Sequence, residues 1–205
     1  GLVETLRDGA VDDPEVRDRF LETVEGETDR LIRLVNDLLL LSRADSDALN
    51  LQCEALDLEQ LAWLLVVRLG RQAEAREVQL SVEADPQAPL ALADPDRMEQ
   101  VLVNLLDNAI KYSMPGSTVT IHIGEGSDHS AQVRVQDEGI GIPAEDLPRI
   151  GERFYRADRA RSRADGGSGL GLAIAQALVE AQGGTLNIDS KESLGTVVTI
   201  AFPRA

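Results

Sequence analysis

The apolar residues of this chain change their spacing near residue 45, and this change limits the folds that the chain can adopt. From Phe20 to Leu41 they recur at alternating steps of four and three, with a single gap at Glu27. This heptad spacing is typical of a helix that packs against other helices. Asp13-Pro14 predicts its start, because Asp is a good N-cap and Pro suits the first helical position. Apolar residues within 2–6 predict the end of an earlier helix, so we expect a helical hairpin; one amphipathic core helix is the alternative.

After the small, polar residues of segment 42–47, the pattern becomes a mixture of helices and strands. The predicted helices span 57–75, 94–112 and 170–181, and the predicted strands span 78–82, 118–123, 131–135, 186–188 and 197–200. The strands are joined as hairpins and stand apart from the helices. This order predicts an α+β layer rather than a parallel doubly wound sheet.

Composition excludes several classes of function. The chain of 205 residues has 20 Lys and Arg against 36 Asp and Glu, a net charge of −16. Such a chain repels phosphate backbones, so we expect no nucleic-acid partner. The single cysteine, Cys53, allows no internal disulfide, and two histidines remote from it do not make a zinc site. No apolar run approaches the length of a membrane span. We therefore expect a soluble protein of a reducing compartment.

The helix predicted over 94–112 carries an unusual polar face. Asn104, Asn108 and Lys111 follow one another at i, i+4 and i+7, which places them on one side of the helix. An amide oxygen can complete a Mg²⁺ shell, and a lysine can offset phosphate charge. The alternative is that these are ordinary polar surface positions.

Two glycine clusters, 137–143 and 166–172, lie at the ends of predicted elements. The first follows a strand and leads into a predicted short helix, and the second opens the helix over 170–181. Glycine permits positive φ, so backbone N–H groups can converge on an anion at a helix N-terminus. Flexible loops are the alternative. Neither cluster has the spacing of a P-loop or of a dinucleotide-binding fingerprint.

The segment between the clusters is rich in arginine. A mobile basic segment flanked by glycines is what a lid over a polyphosphate needs. The alternative is a surface loop whose basic residues pair with acidic neighbours. Phe154-Tyr155 lies among six arginines: Arg149, Arg153, Arg156, Arg159, Arg161 and Arg163.

In this order, the segments resemble the catalytic and ATP-binding domain of two-component sensor histidine kinases. Residues 100–113 resemble the N box of that family, and 137–141, 152–156 and 167–174 resemble its G1, F and G2 boxes. Gly195-Thr196 lies where the last glycine box is expected. The resemblance covers 94–203, and residues 34–43 resemble the second helix of the dimerisation and phosphoacceptor hairpin.

The resemblance implies a fold, a domain organisation and ligands. It implies a two-layer α/β sandwich of the gyrase, Hsp90, histidine kinase and MutL type. In that fold, helices cover one face of a mixed, mostly antiparallel sheet. The implied domains are a truncated dimerisation and histidine-phosphotransfer hairpin (1–45), a hinge (46–52) and a catalytic ATP-binding domain (53–205). The implied cofactors are ATP and Mg²⁺.

The resemblance also implies roles for individual residues. Asp137 would accept a hydrogen bond from the adenine amino group, Asn108 would bind Mg²⁺, and residues 143–166 would form the lid. Asn104, Lys111 and Arg153 are the candidate catalytic residues. The candidate nucleotide-binding residues are Asn104, Asn108, Lys111, Tyr112, Asp137, Gly139, Gly141, Ile142, Phe154, Gly167, Ser168, Gly169, Leu170, Gly171, Leu172 and Thr196.

Asn104 distinguishes transfer from hydrolysis. Related ATP-hydrolysing members of the fold carry Glu four residues before the Mg²⁺-binding Asn, whereas an amide is a poor base. We therefore expect slow hydrolysis and transfer to another residue. Gly151 stands where the family commonly has a bulky residue.

The sequence departs from the family in its histidines. Histidine kinases phosphorylate a histidine on the first helix of the hairpin, but no histidine precedes His122. His122 lies in a predicted strand and His129 in a turn, so neither is expected to be the acceptor. We expect the chain to begin just after the acceptor motif and to be unable to autophosphorylate.

The expected function is that of a cytoplasmic kinase core, whose parent phosphorylates a histidine and then an aspartate of a response regulator. The expected partners are a second copy, bound through the hairpin, and a receiver domain. A membrane would be involved only through upstream segments, which would make this the cytosolic part of an inner-membrane sensor. The alternatives are a non-catalytic nucleotide-binding scaffold and a serine kinase of the anti-sigma type.

Overall fold

A computed structural model describes residues 14–46, 48–126, 129–157 and 168–205. The chain divides into two compact units, the first ending at Ser42 and the second spanning Arg43–Ala205. The first half of the predicted hairpin, together with the predicted N-cap Asp13, lies outside the described residues. None of the helices within these ranges is both long and apolar enough to cross a membrane.

The first described element is the helix α1, Pro14–Asp45. It contains the predicted heptad positions, and their apolar side chains are exposed or half-buried except for that of Leu41. Val24, Leu31 and Leu38 are each more than one third exposed, whereas Leu41 is buried. The described part of this helix thus presents an apolar surface to solvent.

The second unit contains a five-stranded mixed sheet and a small two-stranded sheet. The large sheet has the order β2-β4-β5-β7-β6, and β1 pairs with β3 in the small one. In the large sheet, β2 runs parallel to β4, and the other neighbouring pairs are antiparallel. The strands are β1 (Glu54–Leu56), β2 (Gln79–Ala84), β3 (Ala91–Ala93), β4 (Thr118–Glu125), β5 (Ala131–Asp137), β6 (Thr185–Lys191) and β7 (Gly195–Phe202).

Three helices pack against the large sheet: α2 (Leu58–Glu74), α3 (Pro95–Tyr112) and α4 (Gly171–Ala181). Their starts follow from local chemistry. The Asp57 side chain accepts hydrogen bonds from the N–H groups of Glu59 and Gln60, which caps α2. Asp94 accepts from Arg97 N and is followed by Pro95, which caps α3.

The core lies between the helices and one face of the sheet. Alternate residues of β4 and β5 are buried there, as the strand period requires. Seven residues of α3 are buried, which makes it the central helix of this layer: Met98, Val101, Leu102, Leu105, Leu106, Ala109 and Ile110.

A buried polar cluster fixes the N-terminus of α3. Asp94 is 6% exposed and Gln182 is 8% exposed. Gln182 Oε1 accepts from Asp94 N at 2.7 Å, and Asp94 Oδ2 accepts from Gln52 N at 2.8 Å. Because buried polar groups are costly unless paired, these bonds hold the segment before β1, the start of α3 and the end of α4 together.

The α+β fold class is confirmed, and the predicted helices and strands agree with α2–α4, β2 and β4–β7 to within a few residues. One local prediction is wrong. Residues after Pro143 form a series of turns rather than a short helix, with Asp146 N and Leu147 N both bonded to Pro143 O.

Candidate active site

A cavity of about 580 Å³ opens in the second unit, between the C-terminal half of α3, the end of β5 and the N-terminus of α4. This volume lies within the range of pockets that hold small molecules. Segments that are distant in sequence meet here: α3, the first glycine cluster, residues 150–157, the second glycine cluster, and strands β6 and β7.

The polar face of α3 forms one wall. Asn104, Asn108 and Lys111 all line the cavity, as expected for residues on one side of a helix. Asn104 Nδ2 is buried and has no hydrogen-bond partner among the described residues. An unpaired buried amide costs free energy, so this donor fits a site whose ligand supplies an acceptor.

Asp137 ends β5 at another wall and is 9% exposed. Its Oδ1 accepts from Gly139 N at 2.9 Å and from Thr196 N at 3.1 Å. Both bonds use one carboxylate oxygen, so Oδ2 keeps its capacity to accept from a ligand. Burial raises the pKa of Asp137, and the two backbone hydrogen bonds partly oppose this rise.

Two glycines allow neighbouring backbone segments to pack closely in this part of the site. A Cβ on Gly141 would lie 2.0 Å from Lys191 O, and φ there is +65°. A Cβ on Gly195 would lie 2.1 Å from Asp137 O, and φ there is +100°. Both positions therefore require glycine for space and for conformation, and they join the first glycine cluster to the β6–β7 turn.

Ser190, on β6, connects these parts and was missed by the sequence reasoning. Its Oγ accepts from Ile142 N at 2.9 Å, donates to Gly195 O at 2.9 Å, and lies 2.9 Å from Thr196 Oγ1. A serine within an alternating strand resembles an ordinary polar position. The one sequence signal was its place six residues before Thr196.

The second glycine cluster adjoins the opposite wall. Gly169 accepts a backbone hydrogen bond from Phe154 N at 2.9 Å, and Ser168 Oγ accepts from Leu170 N at 3.3 Å. A Cβ on Gly171 would lie 3.6 Å from Asn104 Oδ1, so α4 begins next to the polar face of α3. This arrangement places the N-terminus of α4 at the cavity.

The described arginines of the basic segment have different environments. Arg149 pairs with Glu152 at 3.1 Å and lies over the Tyr155 ring, and Arg153 pairs with Asp45 at 2.6 Å. Arg156 lines the cavity. Arg149 and Arg153 thus pair with acidic side chains, as the alternative interpretation of this segment predicts, and the phosphate contact of Arg153 stays a prediction. Arg159, Arg161 and Arg163 lie outside the described residues.

Two tyrosines flank the cavity and are held in different ways. Tyr112, 37% exposed, lies with its ring centroid 5.1 Å from Lys111 Nζ. The Tyr155 hydroxyl donates to Asp146, and this bond raises the pKa of Tyr155. The cavity is thus bordered by one tyrosine beside the α3 lysine and one tied to the turns after Pro143.

Most of the predicted site residues meet in this cavity. Those that line it are Asn104, Asn108, Lys111, Tyr112, Asp137, Gly141, Ile142, Ser168, Gly169, Gly171, Leu172 and Thr196. Gly139, Phe154 and Leu170 are not part of the lining, Arg153 is bonded to Asp45, and Gly167 lies outside the described residues. The two histidines pair with Glu83 and Glu125 away from the cavity.

The donor set of the cavity suits a ligand that carries phosphate groups. In the described part of the chain, no three His, Cys, Asp or Glu side chains come together to hold a metal ion. The cavity instead offers an amide at Asn108, a lysine, a buried unpaired donor and the start of a helix. These are groups that bind phosphate oxygens.

Comparison with known proteins identifies the family. Residues 93–205 match the model of histidine kinase-, DNA gyrase B- and HSP90-like ATPases. Residues 1–47 match the His Kinase A (phospho-acceptor) domain. The chain therefore belongs to the histidine kinase-, DNA gyrase B- and HSP90-like ATPase family. With both matches in this order, it is a catalytic core of the sensor histidine kinase type.

Individual relatives support this family assignment. The chain is 39% identical over 202 residues to sensor histidine kinase WalK of Bacillus subtilis (strain 168), covering 98% of this chain and 33% of that protein. It is 37% identical over 202 residues to sensor protein kinase WalK of Staphylococcus aureus, covering 98% of this chain and 48% of that protein. The chain thus spans a third to a half of the length of these curated relatives.

Solved structures share the fold. Full-length ShkA in complex with AMPPNP has a TM-score of 0.81 and 27% identity, covering 93% of this chain and 39% of that chain. The Acinetobacter baumannii histidine kinase AdeS has a TM-score of 0.74 and 26% identity, covering 99% of this chain and 95% of that chain.

Proposed function

We propose that this chain is the kinase core of a two-component sensor histidine kinase. In this proposal it binds MgATP and directs the γ-phosphoryl group to a histidine, from which an aspartate of a response regulator receives it. Residues 1–47 contain no histidine, so a test of transfer needs an added acceptor. The similar protein ShkA was solved in complex with AMPPNP, an ATP analogue, and this supports the choice of nucleotide.

One observation carries the proposal. A single cavity has an acidic acceptor at one wall and a cationic, amide-rich helix face at another. Asp137 suits a base with an amino group, whereas Asn104, Asn108 and Lys111 suit phosphates and their metal ion. A nucleoside triphosphate has these two chemistries at its two ends.

The residues of the chain would then act by binding and positioning. Asn108 would hold Mg²⁺, and Asn104 Nδ2 and Lys111 would donate to phosphate oxygens. Asp137 and Thr196 would hold the base. When bound, MgATP supplies the phosphoryl group, and the protein contributes orientation and charge compensation rather than covalent chemistry.

A phosphate contact by Arg153 depends on an ion pair that this residue already makes. Its guanidinium is bound to both oxygens of Asp45, at 2.6 and 2.7 Å. A phosphate contact by Arg153 therefore requires that this exposed ion pair open first. Exposed ion pairs contribute only about 0–1 kcal/mol, so a phosphate can compete for the arginine.

Asn104 favours transfer over hydrolysis. No carboxylate occupies that position, and an amide does not remove a proton from water at any ordinary pH. The chain should therefore turn over free ATP slowly. Rapid turnover that disappears in Asn108→Ala would contradict this part of the proposal.

The partners follow from the helical unit. The exposed apolar residues of α1 fit a second copy, which would complete a helical bundle. The response regulator and the cytosolic location belong to the proposal because the reaction consumes ATP and ends on a receiver aspartate. A non-catalytic scaffold predicts nucleotide binding without transfer. An anti-sigma serine kinase predicts a serine product and has no need of the α1 seam.

The deciding experiment has two parts. Calorimetric titration with MgATP and MgGTP measures binding, with Asn108→Ala as the variant and an exposed substitution on the same helix, Asp96→Asn, as the control. A phosphoacceptor hairpin that carries a histidine is then added with radiolabelled ATP, and the product is tested for acid-labile, base-stable phosphate. Binding without acid-labile product favours the scaffold, and acid-stable product favours the serine kinase.

A further inference from the structure

The hydroxyl groups of Ser190 and Thr196 lie side by side next to Asp137. Ser190 Oγ has three neighbours: Ile142 N, Gly195 O and Thr196 Oγ1, each at 2.9 Å. Thr196 lines the cavity, and its own N–H is bonded to Asp137 Oδ1. A fixed hydrogen-bond network therefore connects the carboxylate, the cavity and the β6–β7 turn.

The protons in this network can be assigned from the chemistry of its members. A serine hydroxyl has one proton to donate and two lone pairs to accept with. Ile142 N can only donate, so it takes one lone pair of Ser190. Gly195 O can only accept, so it takes the single proton of Ser190.

The contact between the two hydroxyls then has one direction. With its proton already given to Gly195 O, Ser190 has only a lone pair left for Thr196. Thr196 Oγ1 must therefore be the donor in that contact, because this is the one arrangement that satisfies all three neighbours. Its proton points toward Ser190 and away from the cavity.

Thr196 consequently presents lone pairs, and no proton, to the cavity. Asp137 Oδ2 beside it is also an acceptor. An exocyclic amino group opposite these two acceptors can donate to them, whereas an exocyclic carbonyl at the same position cannot and is repelled by them. A site built on hydrogen bonds discriminates strongly against an analogue that leaves its groups unpaired.

We propose that Ser190 is a positioning residue that orients the Thr196 hydroxyl as an acceptor and so helps the site to select a 6-aminopurine over a 6-oxopurine. The inference rests on the proposed nucleotide site. The inference goes beyond the proposed function because it assigns part of the base selectivity to a serine that does not line the cavity.

The test compares two purine nucleotides that differ at that position, MgATP and MgITP. Calorimetry gives the ratio of their dissociation constants for the intact protein. In Ser190→Ala, the Thr196 proton loses its acceptor and can turn into the cavity. We expect the preference for MgATP to fall by about three- to tenfold, the usual worth of one neutral hydrogen bond. Ser190→Thr keeps the hydroxyl and should retain the wild-type ratio.

A merely structural role predicts a different result. Ser190→Ala also leaves Ile142 N and Gly195 O without their partner. If this only loosened the loop, the affinities for both nucleotides would fall by the same factor. An unchanged ratio would therefore overturn the inference. Failure of the wild-type protein to bind either nucleotide would instead overturn the proposed function, so the two failures are distinguishable.

A double-mutant cycle tests the route through Thr196. Thr196→Val removes the hydroxyl, so Ser190→Ala should change the ratio no further in that background. A full additional effect of Ser190→Ala in the Thr196→Val protein would show that Ser190 acts by another route, and would refute the proton assignment. A thermal-unfolding measurement of each variant confirms that it is folded during the titrations.

Discussion

Asp137→Asn separates the two functions of this carboxyl group. In the wild type, Oδ1 accepts from Gly139 N and Thr196 N, and the other oxygen is left for a ligand. An asparagine can keep both backbone bonds through its amide oxygen. Its NH₂ group then replaces the ligand-facing oxygen, so a donor meets the amino group of the base.

The expected loss of MgATP affinity in Asp137→Asn equals the contribution of one hydrogen bond to a charged acceptor. Such bonds contribute about 1.5–3 kcal/mol, which corresponds to roughly 10- to 150-fold in affinity. Calorimetric titration with MgATP measures this directly. Asp189→Asn is the matched control, because it changes the net charge equally at an exposed position of β6.

Asp137→Asn should weaken MgATP binding but should not destabilise the folded protein at neutral pH. Burial raises the pKa of Asp137 in the folded state, so its ionised form lowers the free energy of unfolding once the pH rises through that pKa. Asp137→Asn removes this charge. Its Tm at neutral pH should therefore equal or exceed that of the wild type, and the difference should shrink toward acid pH.

The wild-type affinity should also depend on pH. Because the pKa of Asp137 is raised above its ordinary value of 3.8, MgATP affinity should begin to fall at a higher pH than an ordinary aspartate would cause. Affinity of Asp137→Asn within threefold of the wild type would refute the assigned role. A Tm lowered by many degrees would show that the two backbone bonds, and not the ligand contact, need the carboxylate.

Three further substitutions test other parts of the site. Asn104→Leu removes the buried unpaired Nδ2; we expect about 1 kcal/mol or more of added stability in thermal unfolding and at least a tenfold loss of MgATP affinity. Gly141→Ala should lower the free energy of unfolding by at least about 2 kcal/mol more than Gly116→Ala, since both have positive φ but only Gly141 has a carbonyl at its Cβ position. Arg156→Ala should weaken MgATP binding about tenfold, because Arg156 borders the cavity. Arg153→Ala should weaken it less, because Arg153 reaches a phosphate only after its ion pair with Asp45 opens, and equal effects in calorimetry would contradict this ordering.

Local chemistry made much of this fold predictable. Asp94-Pro95 supplies both an N-cap and the first helical residue, so α3 begins where the sequence indicates. The alternation of β4 and β5 likewise reveals their buried face. In contrast, the parallel pairing of β2 with β4 depends on how α3 crosses the layer, and the three-residue strands β1 and β3 are too short for a periodic signal.

The site was predictable where one element carries several functional residues. Asn104, Asn108 and Lys111 share a helix, so their spacing alone brings them together. Ser190 was not predictable, because its role comes from contacts with Ile142 and Thr196 made through strand pairing. Nor does sequence spacing show which of the neighbouring arginines pairs with an acidic residue, since this depends on which acidic side chain lies within reach in the fold.

The hydrogen bond from Phe154 N to Gly169 O has a consequence for how a change can spread through the site. It links Phe154 to the residues that open α4, and the next residue, Tyr155, is bonded to Asp146 in the turns after Pro143. Gly171, at the start of α4, lies beside Asn104. A change in the turns after Pro143 can therefore reach the polar face of α3 through α4, without needing a direct contact between the two.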